Sequence, residues 1–241
     1  MQQHLGELCE RAAGRRQPLF SRFLNLSEQK EAEIAAQKAQ AEYLLFGGAA
    51  DCERRMLGAG QEAPEPGDFP IACLKVTRRS AHYGEPLEHR AVLGTVMGTG
   101  IERELVGDIV IVDDAAYVFC VNTMADMLCA ALTRVGRTDT DCEIAEPPAA
   151  ALRKLTPVKI QAASPRVDAV AAHLYKLSRG DMLELIRQGK VQVDDIPVTK
   201  PDQPLKPGQV LSVRGYGRSR YEGEVGVSKK GKLYLELSVY S

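Results

Sequence analysis

The sequence predicts an α+β chain in three segments, and three observations predict it. Helical periodicity gives way to strand-like alternation near residue 68. From residue 69 to 146 the signals run strand, helix, strand, strand, helix, strand. Past residue 164, two short and separately capped helices lead into three short strands. At 241 residues, 26% charged and 44% hydrophobic, the chain has length for two or three small domains and an ordinary soluble composition.

Residues 1–66 are expected to be mainly helical. Ser27 offers a cap to a helix through EQKEAEIAAQKAQAEYLLF, with Ile34, Ala35, Ala41, Leu44 and Leu45 as its apolar stripe and Gly47-Gly48 as its stop. The stretch GAGQEAPEPGD at 58–68 combines Gly, Pro and acid with little to bury, which reads as a linker. Arg54 and Arg55 are candidates for RNA contact or for exposed helix-end charges.

In residues 68–148, FPIACLKVT reads as a strand and HRAVLGTVMG as a helix. DIVIVDD and AYVFCV then read as strands around an Asp-Asp-Ala turn, NTMADMLCAALTRV as a helix with an Asn cap, and TDTDCEIAE as the last strand. That order is the ferredoxin-like (split β-α-β) arrangement. The RNA-reading version of this topology displays aromatic side chains on its sheet. Here the candidate strands offer only Phe69, Tyr117 and Phe119, so a scaffold or docking role is expected. The glycines of LGTVMGTG lack the order and the Gly-Lys-Ser/Thr ending of a phosphate loop, and read as helix packing followed by a stop.

Residues 147–163 read as a Pro/Ala linker running into an extended segment, and residues 158–241 as the C-terminal domain. Ser164 can cap its first helix with Pro165 at the first helical position. Ser178, with Asp181 three residues on, has capping-box spacing for the second helix, and Gly189 can end it. KVQVDD and IPVTK alternate around an Asp-rich turn, GQVLSV supplies a third strand, and further strands follow to the C-terminus.

Charge is segregated along the chain. Residues 158–241 carry 14 Lys and Arg against 9 Asp and Glu, net +5, whereas residues 1–157 carry 17 against 23, net −6. A basic back half behind an acidic front half points to a polyanion bound by the back half. The expected RNA-binding set is Arg166, Lys176, Ser178, Arg179, Arg187, Lys190, Lys200, Arg214, Arg218, Arg220, Lys229 and Lys230. Each cation alone reads equally as a solvated surface charge, and Ser178 is first a helix cap; their joint occurrence carries the argument. Tyr216, Tyr221 and Tyr234 are interleaved with these cations, a pattern suited to phosphate contact plus base stacking.

Two resemblances sharpen this reading. The run R-V-D, then S-R-x-x-x-x-x-L-I-x-x-G-K-V-x-V, then P-G resembles the small RNA-binding domain named after ribosomal protein S-four. It is carried by Arg166-Val167-Asp168, Ser178-Arg179, Ile186, Gly189-Lys190-Val191, Val193 and Pro207-Gly208. HRAVLGTVMGTGIERELVGDIVI looks like the signature of the YlmH family, through His89-Arg90, Leu93-Gly94, Gly98, Gly100-Ile101, Arg103 and Gly107-Asp108-Ile109. Ala91 stands where that family usually has an acid. The second resemblance implies binding to the large ribosomal subunit, with rRNA and tRNA contacts, and a part in rescue or quality control of stalled translation. Family members are also linked by genomic setting to cell division.

Competing chemistries lack their residues. No glycine-rich cofactor turn follows a strand, no synthetase signature is present, and Asp113-Asp114 and Asp194-Asp195 are adjacent pairs at turns rather than facing carboxylates. The six cysteines form no C-x-x-C pair and read as reduced thiols, so neither a metal nor another cofactor is expected. No apolar run reaches the roughly 20 residues of a membrane span, and the N-terminal residues lack the apolar core of a signal peptide. The expectation is a cytoplasmic, monomeric, non-enzymatic RNA-binding protein. The alternatives are an RNA-modifying enzyme with an S-four-like targeting domain, or an interaction protein linked to cell division.

Overall fold

In the computed structural model, residues 2–50, 52–80, 85–147, 155–228 and 231–240 are described. The chain divides into two units, Met1–Leu152 and Arg153–Ser241.

The first unit begins with α1 (Gln2–Ala13), β1 (Leu19–Phe20), α2 (Leu26–Lys38), β2 (Glu42–Phe46) and β3 (Met56–Gly60). Asn25, not Ser27, caps α2: its side chain accepts the Glu28 N–H at 2.9 Å, while the Glu28 carboxylate accepts the Asn25 N–H at 2.7 Å. This reciprocal pair satisfies two donors that the helix start would otherwise leave open. The helix also ends earlier than expected. Gln40 takes φ +53, and Glu42–Phe46 leaves as a strand antiparallel to β3. Leu44 and Leu45 therefore belong to a sheet of order β1-β3-β2 and not to a helical stripe.

The expected linker at 58–68 is corrected in the same way. Its first residues lie in β3, which is buried at every position. Gly58 explains the misreading: a Cβ there would lie 2.8 Å from Phe20 and 2.9 Å from Phe69. The residue serves close packing of two aromatic rings, and glycine alone leaves the room.

The unit continues with β4 (Ile71–Arg78), α3 (His89–Gly98), β5 (Val106–Val112), β6 (Ala115–Val121), α4 (Ala125–Ala131), β7 (Arg134–Val135) and β8 (Thr138–Ile144). Strand order β5-β6-β4-β8-β7, antiparallel throughout, is the ferredoxin-like arrangement. Asp113 and Asp114 take φ +46 and +68, which suits a two-residue hairpin turn. Asn122 does not cap α4. It opens a short 3-10 turn, Asn122–Met124, so the helix starts three residues later at a position with no side-chain cap.

One face of this sheet packs Leu74, Val76, Val118 and Cys120 against Val92 and Val96 of α3 and Leu128 of α4. The other face is covered by the N-terminal segment, with Phe23, Cys52, Met56 and Phe69 packed on Cys73, Val110 and Phe119. Residues 1–66 and 68–148 thus share a core within one unit. Polar contacts reinforce the seam. Buried Asp108 accepts the Glu53 N–H at 2.6 Å and the Arg54 N–H at 3.2 Å. The Arg54 guanidinium donates to the carbonyls of Phe23 at 3.0 Å and Val106 at 3.2 Å.

All six cysteines are free thiols; Cys9, Cys52, Cys73 and Cys120 are buried. Burial pushes the thiols of Cys73 and Cys120 up to about 12. An unfolded chain ionises these thiols from about pH 9 and so binds fewer protons there, and stability falls as pH rises from about 9 to about 12. Alkylation of the native chain near pH 8 is expected to leave Cys73 and Cys120 unmodified by mass spectrometry, whereas the urea-unfolded chain labels both.

The second unit comprises β9 (Leu155–Ala162), α5 (Val167–Leu174), α6 (Arg179–Arg187), β10 (Val191–Val193), β11 (Ile196–Pro197), β12 (Val210–Val213), β13 (Gly217–Val227) and β14 (Leu233–Tyr240). Its antiparallel sheet has the order β11-β10-β12-β13-β14-β9. The extended segment expected after the Pro/Ala linker is a full edge strand, paired with β14 from Leu155 to Ala162. Ser164 and Pro165 do not start α5. The Pro165 carbonyl accepts the Leu205 N–H at 2.8 Å and Arg166 bridges Pro204 in an extended conformation, so the helix begins only at Val167. Val170, Ala171, Met182 and Ile186 of the helices close over Val191, Leu211, Tyr221, Leu235 and Leu237 of the sheet. Among the described residues, no helix is long and apolar enough to cross a membrane.

Candidate nucleic-acid interface

The basic residues of the second unit are placed by its caps and turns. Ser178 caps α6: its hydroxyl accepts the Asp181 N–H at 3.1 Å and donates to the Asp181 carboxylate at 2.6 Å. The hydroxyl is thus committed to the helix start. Ser178→Ala is expected to cost about 1 kcal/mol of stability in a urea titration, with little change in RNA affinity.

The cap sets Arg179 at the first turn of α6, where it meets a residue of α5. Buried Asp168 accepts from Arg166 through Nε at 3.0 Å and Nη2 at 2.9 Å, and Arg179 Nη2 lies 3.6 Å from the same carboxylate. One buried acid therefore holds two arginines side by side, their side chains 38% and 68% exposed. The two-point contact orients the Arg166 guanidinium, and Arg179, close to the same carboxylate, keeps its donors for a phosphate.

At the other end of α6, Gly189 takes φ +66 and the chain turns into β10. The Lys190 carbonyl accepts the Arg214 N–H at 2.9 Å, which ties the two residues together through backbone. A groove of about 700 Å³ opens here, lined by Lys190, Gln192, Ser212, Arg214, Tyr216 and Arg218 among others. Arg218 donates through Nε to the Ser212 hydroxyl at 3.0 Å and reaches the Asp195 carboxylate at 3.4 Å. Arg214 and Tyr216 are exposed, and Tyr216 retains 48% of its surface.

Other members of the expected set stand apart. Arg187 pairs with Glu184 at 2.8 Å, three residues back on its helix, and Arg220 donates to Glu222 at 2.9 Å along β13. Lys176, at φ +54, and Lys200 are exposed. Lys229 and Lys230 lie outside the described residues. Of the three interleaved tyrosines, Tyr221 is a core residue at 1% exposure and so is unavailable for stacking; Tyr216 and Tyr234 are exposed. The reading from sequence did not single out Asp168 or Ser212 as positioning residues. The R-V-D run marked Asp168, and alternation along β12 would have turned Ser212 away from the core.

The middle segment offers no exposed aromatic platform at its Phe residues. Phe69 and Phe119 are buried against the N-terminal segment, at 6% and 0% exposure.

Two family models match the chain. Residues 64–147 match the model described as "Putative RNA-binding domain in YlmH", and residues 165–211 match the S-four domain, described as "S4 domain". A relative from Bacillus subtilis (strain 168), "Ribosome-associated protein quality control protein P2", is 30% identical over 221 residues, covering 86% of this chain and 82% of the relative. The chain belongs to the YlmH family. Among solved structures it is similar to "Cell division protein ylmH from Streptococcus pneumoniae", at 23% identity over 59% of this chain and 87% of that one, with a TM-score of 0.49.

In this YlmH-family chain the signature run divides by role. Its second half ties the first unit together. Ile101 is buried, Arg103 donates to the carbonyls of Val106 and Gly107, and Gly107 and Asp108 pack against Phe23 and the 53–54 backbone. Burial, reinforced by Arg54 nearby, lowers Arg103 to about 10, so it remains a cation at neutral pH. In the first half, Arg90, Gly94 and Gly98 are exposed along α3, while Val92, Leu93 and Val96 pack on the core beneath it.

Proposed function

We propose that this chain is a non-enzymatic RNA-binding protein that binds rRNA, and tRNA beside it, on the large ribosomal subunit. It acts there in quality control or rescue of stalled translation, as a monomer in the cytoplasm. The observation that carries the reading is the paired Arg166 and Arg179 on buried Asp168, in the same unit as a groove lined by Lys190, Arg214 and Arg218. Cations held by backbone and by a buried acid are preorganised for a phosphate backbone. The name of the Bacillus subtilis relative supports the ribosomal setting.

The test is co-sedimentation of the full chain with purified ribosomal subunits. Enrichment with the large subunit is expected. Recovery in the unbound fraction, or with the small subunit alone, would contradict the reading. Mass spectrometry of rRNA from a strain lacking the chain should show the full set of modifications; a missing one would identify an enzyme instead.

A further inference from the structure

The groove at the Arg214–Gly217 turn differs from a plain phosphate-gripping surface because it contains an exposed aromatic ring. Tyr216 retains 48% of its surface, although it lies in the same strand-rich unit that buries Tyr221 almost completely. One side of the ring leans on Tyr175, with centroids 5.9 Å apart and planes tilted by 53°. Its chain neighbours are Gly215 at φ +90 and Gly217 at φ +133, so the turn takes a left-handed backbone and no adjacent side chain crowds the ring. The Tyr216 N–H is satisfied by the Val213 carbonyl at 3.0 Å, which fixes the turn.

The strand residues that line the same groove are polar and in register. Gln192 faces Ser212 across β10 and β12, and Ser212 faces Arg218 across β12 and β13. Gln192 can both donate and accept, and the Ser212 hydroxyl already accepts from Arg218. Lys190 and Arg214 stand at the rim, joined through backbone. A volume of about 700 Å³ is within the range of small-ligand sites.

We propose that this groove holds a single unpaired nucleotide, its base stacked on Tyr216, its base edge against Gln192 and Ser212, and its phosphate on Lys190 and Arg214. The proposal rests on the RNA-binding reading and deepens it. A paired A-form helix hides its base faces and offers a protein phosphates and 2′-hydroxyls; an exposed aromatic ring set among cations gains most from a base that has left the stack. The recognised element is then a bulge, a loop or a strand end, not uniform duplex.

The experiment uses the full chain and two end-labelled RNA hairpins that are identical except that one carries a single bulged 2-aminopurine. Affinity for each is measured by fluorescence titration, and the readout is the ratio of the two. The wild-type chain is expected to favour the bulged hairpin about tenfold, within what stacking of one base on an aromatic residue contributes, and to quench the 2-aminopurine. Tyr216→Ala should bring the ratio near one and remove the quench, and Tyr216→Phe should keep both. A wild-type ratio near one with both hairpins bound, or a ratio that survives in Tyr216→Ala, overturns the nucleotide site and leaves RNA binding standing. Failure of the wild-type chain to bind either hairpin overturns the RNA-binding reading and this proposal with it.

Discussion

Replacing Arg179 with Gln and both Lys190 and Arg214 with Glu is expected to weaken binding of the full chain to rRNA on the order of a hundredfold. All three belong to the candidate surface, and the backbone contacts that place them do not need their side chains. The Lys190 carbonyl and Arg214 N–H remain bonded whatever the side chains carry. Gln is chosen at position 179 because Arg179 sits 3.6 Å from the buried Asp168 carboxylate, where Glu would add repulsion inside the fold. The variant should therefore unfold near the wild-type urea midpoint while its affinity, measured by filter binding, collapses. An affinity within a few-fold of wild type would mean that these cations are ordinary surface charges.

Phe119→Ala is expected to destabilise the first unit by about 3–5 kcal/mol, the usual cost of emptying a large aromatic site in a core. Phe119 is fully buried and packs with Phe23, Cys52, Met56 and Cys73, where the N-terminal segment covers the ferredoxin-like sheet. The surroundings cannot collapse easily onto the vacated space. A Cβ on Gly48 would already come within 2.4 Å of the ring, so backbone approaches it directly. Urea unfolding followed by far-UV circular dichroism measures the effect; a shift below about 1 kcal/mol would show that the seam is looser than the packing indicates.

The elements best read from sequence were those whose local signals agree with their tertiary surroundings. In the middle segment, HRAVLGTVMG became α3 and DIVIV and AYVFCV became β5 and β6, because each has one clear period and bounding turn residues. The N-terminal segment was less legible because its decisive partners are distant in sequence. Leu44 and Leu45 look helical in a local window, and only pairing with β3 makes them strand residues. Gly58 reads as linker until Phe20 and Phe69 are seen beside it. Asn25 displaced Ser27 as a cap because the three-residue spacing to Glu28 allows the reciprocal bonds.

The candidate site was legible as composition but not as geometry. The Arg and Lys count points to a polyanion surface in the C-terminal domain, yet sequence cannot tell Arg166 and Arg179, which share Asp168, from Arg187, which pairs with its own helix neighbour Glu184. The three tyrosines looked equivalent, and alternation along β13 buries Tyr221, whereas Tyr216 stays at an exposed turn.

In the proposed function, cations of the Arg153–Ser241 unit grip RNA through its phosphates. The most direct measurement is the salt dependence of rRNA affinity for the wild-type chain and the Arg179→Gln, Lys190→Glu, Arg214→Glu variant, plotted as log affinity against log salt. Each lost phosphate contact should flatten the slope by about 1, so the variant's line should be shallower by roughly 2 to 3. Parallel lines, or a wild-type affinity that does not change with salt, would contradict the account.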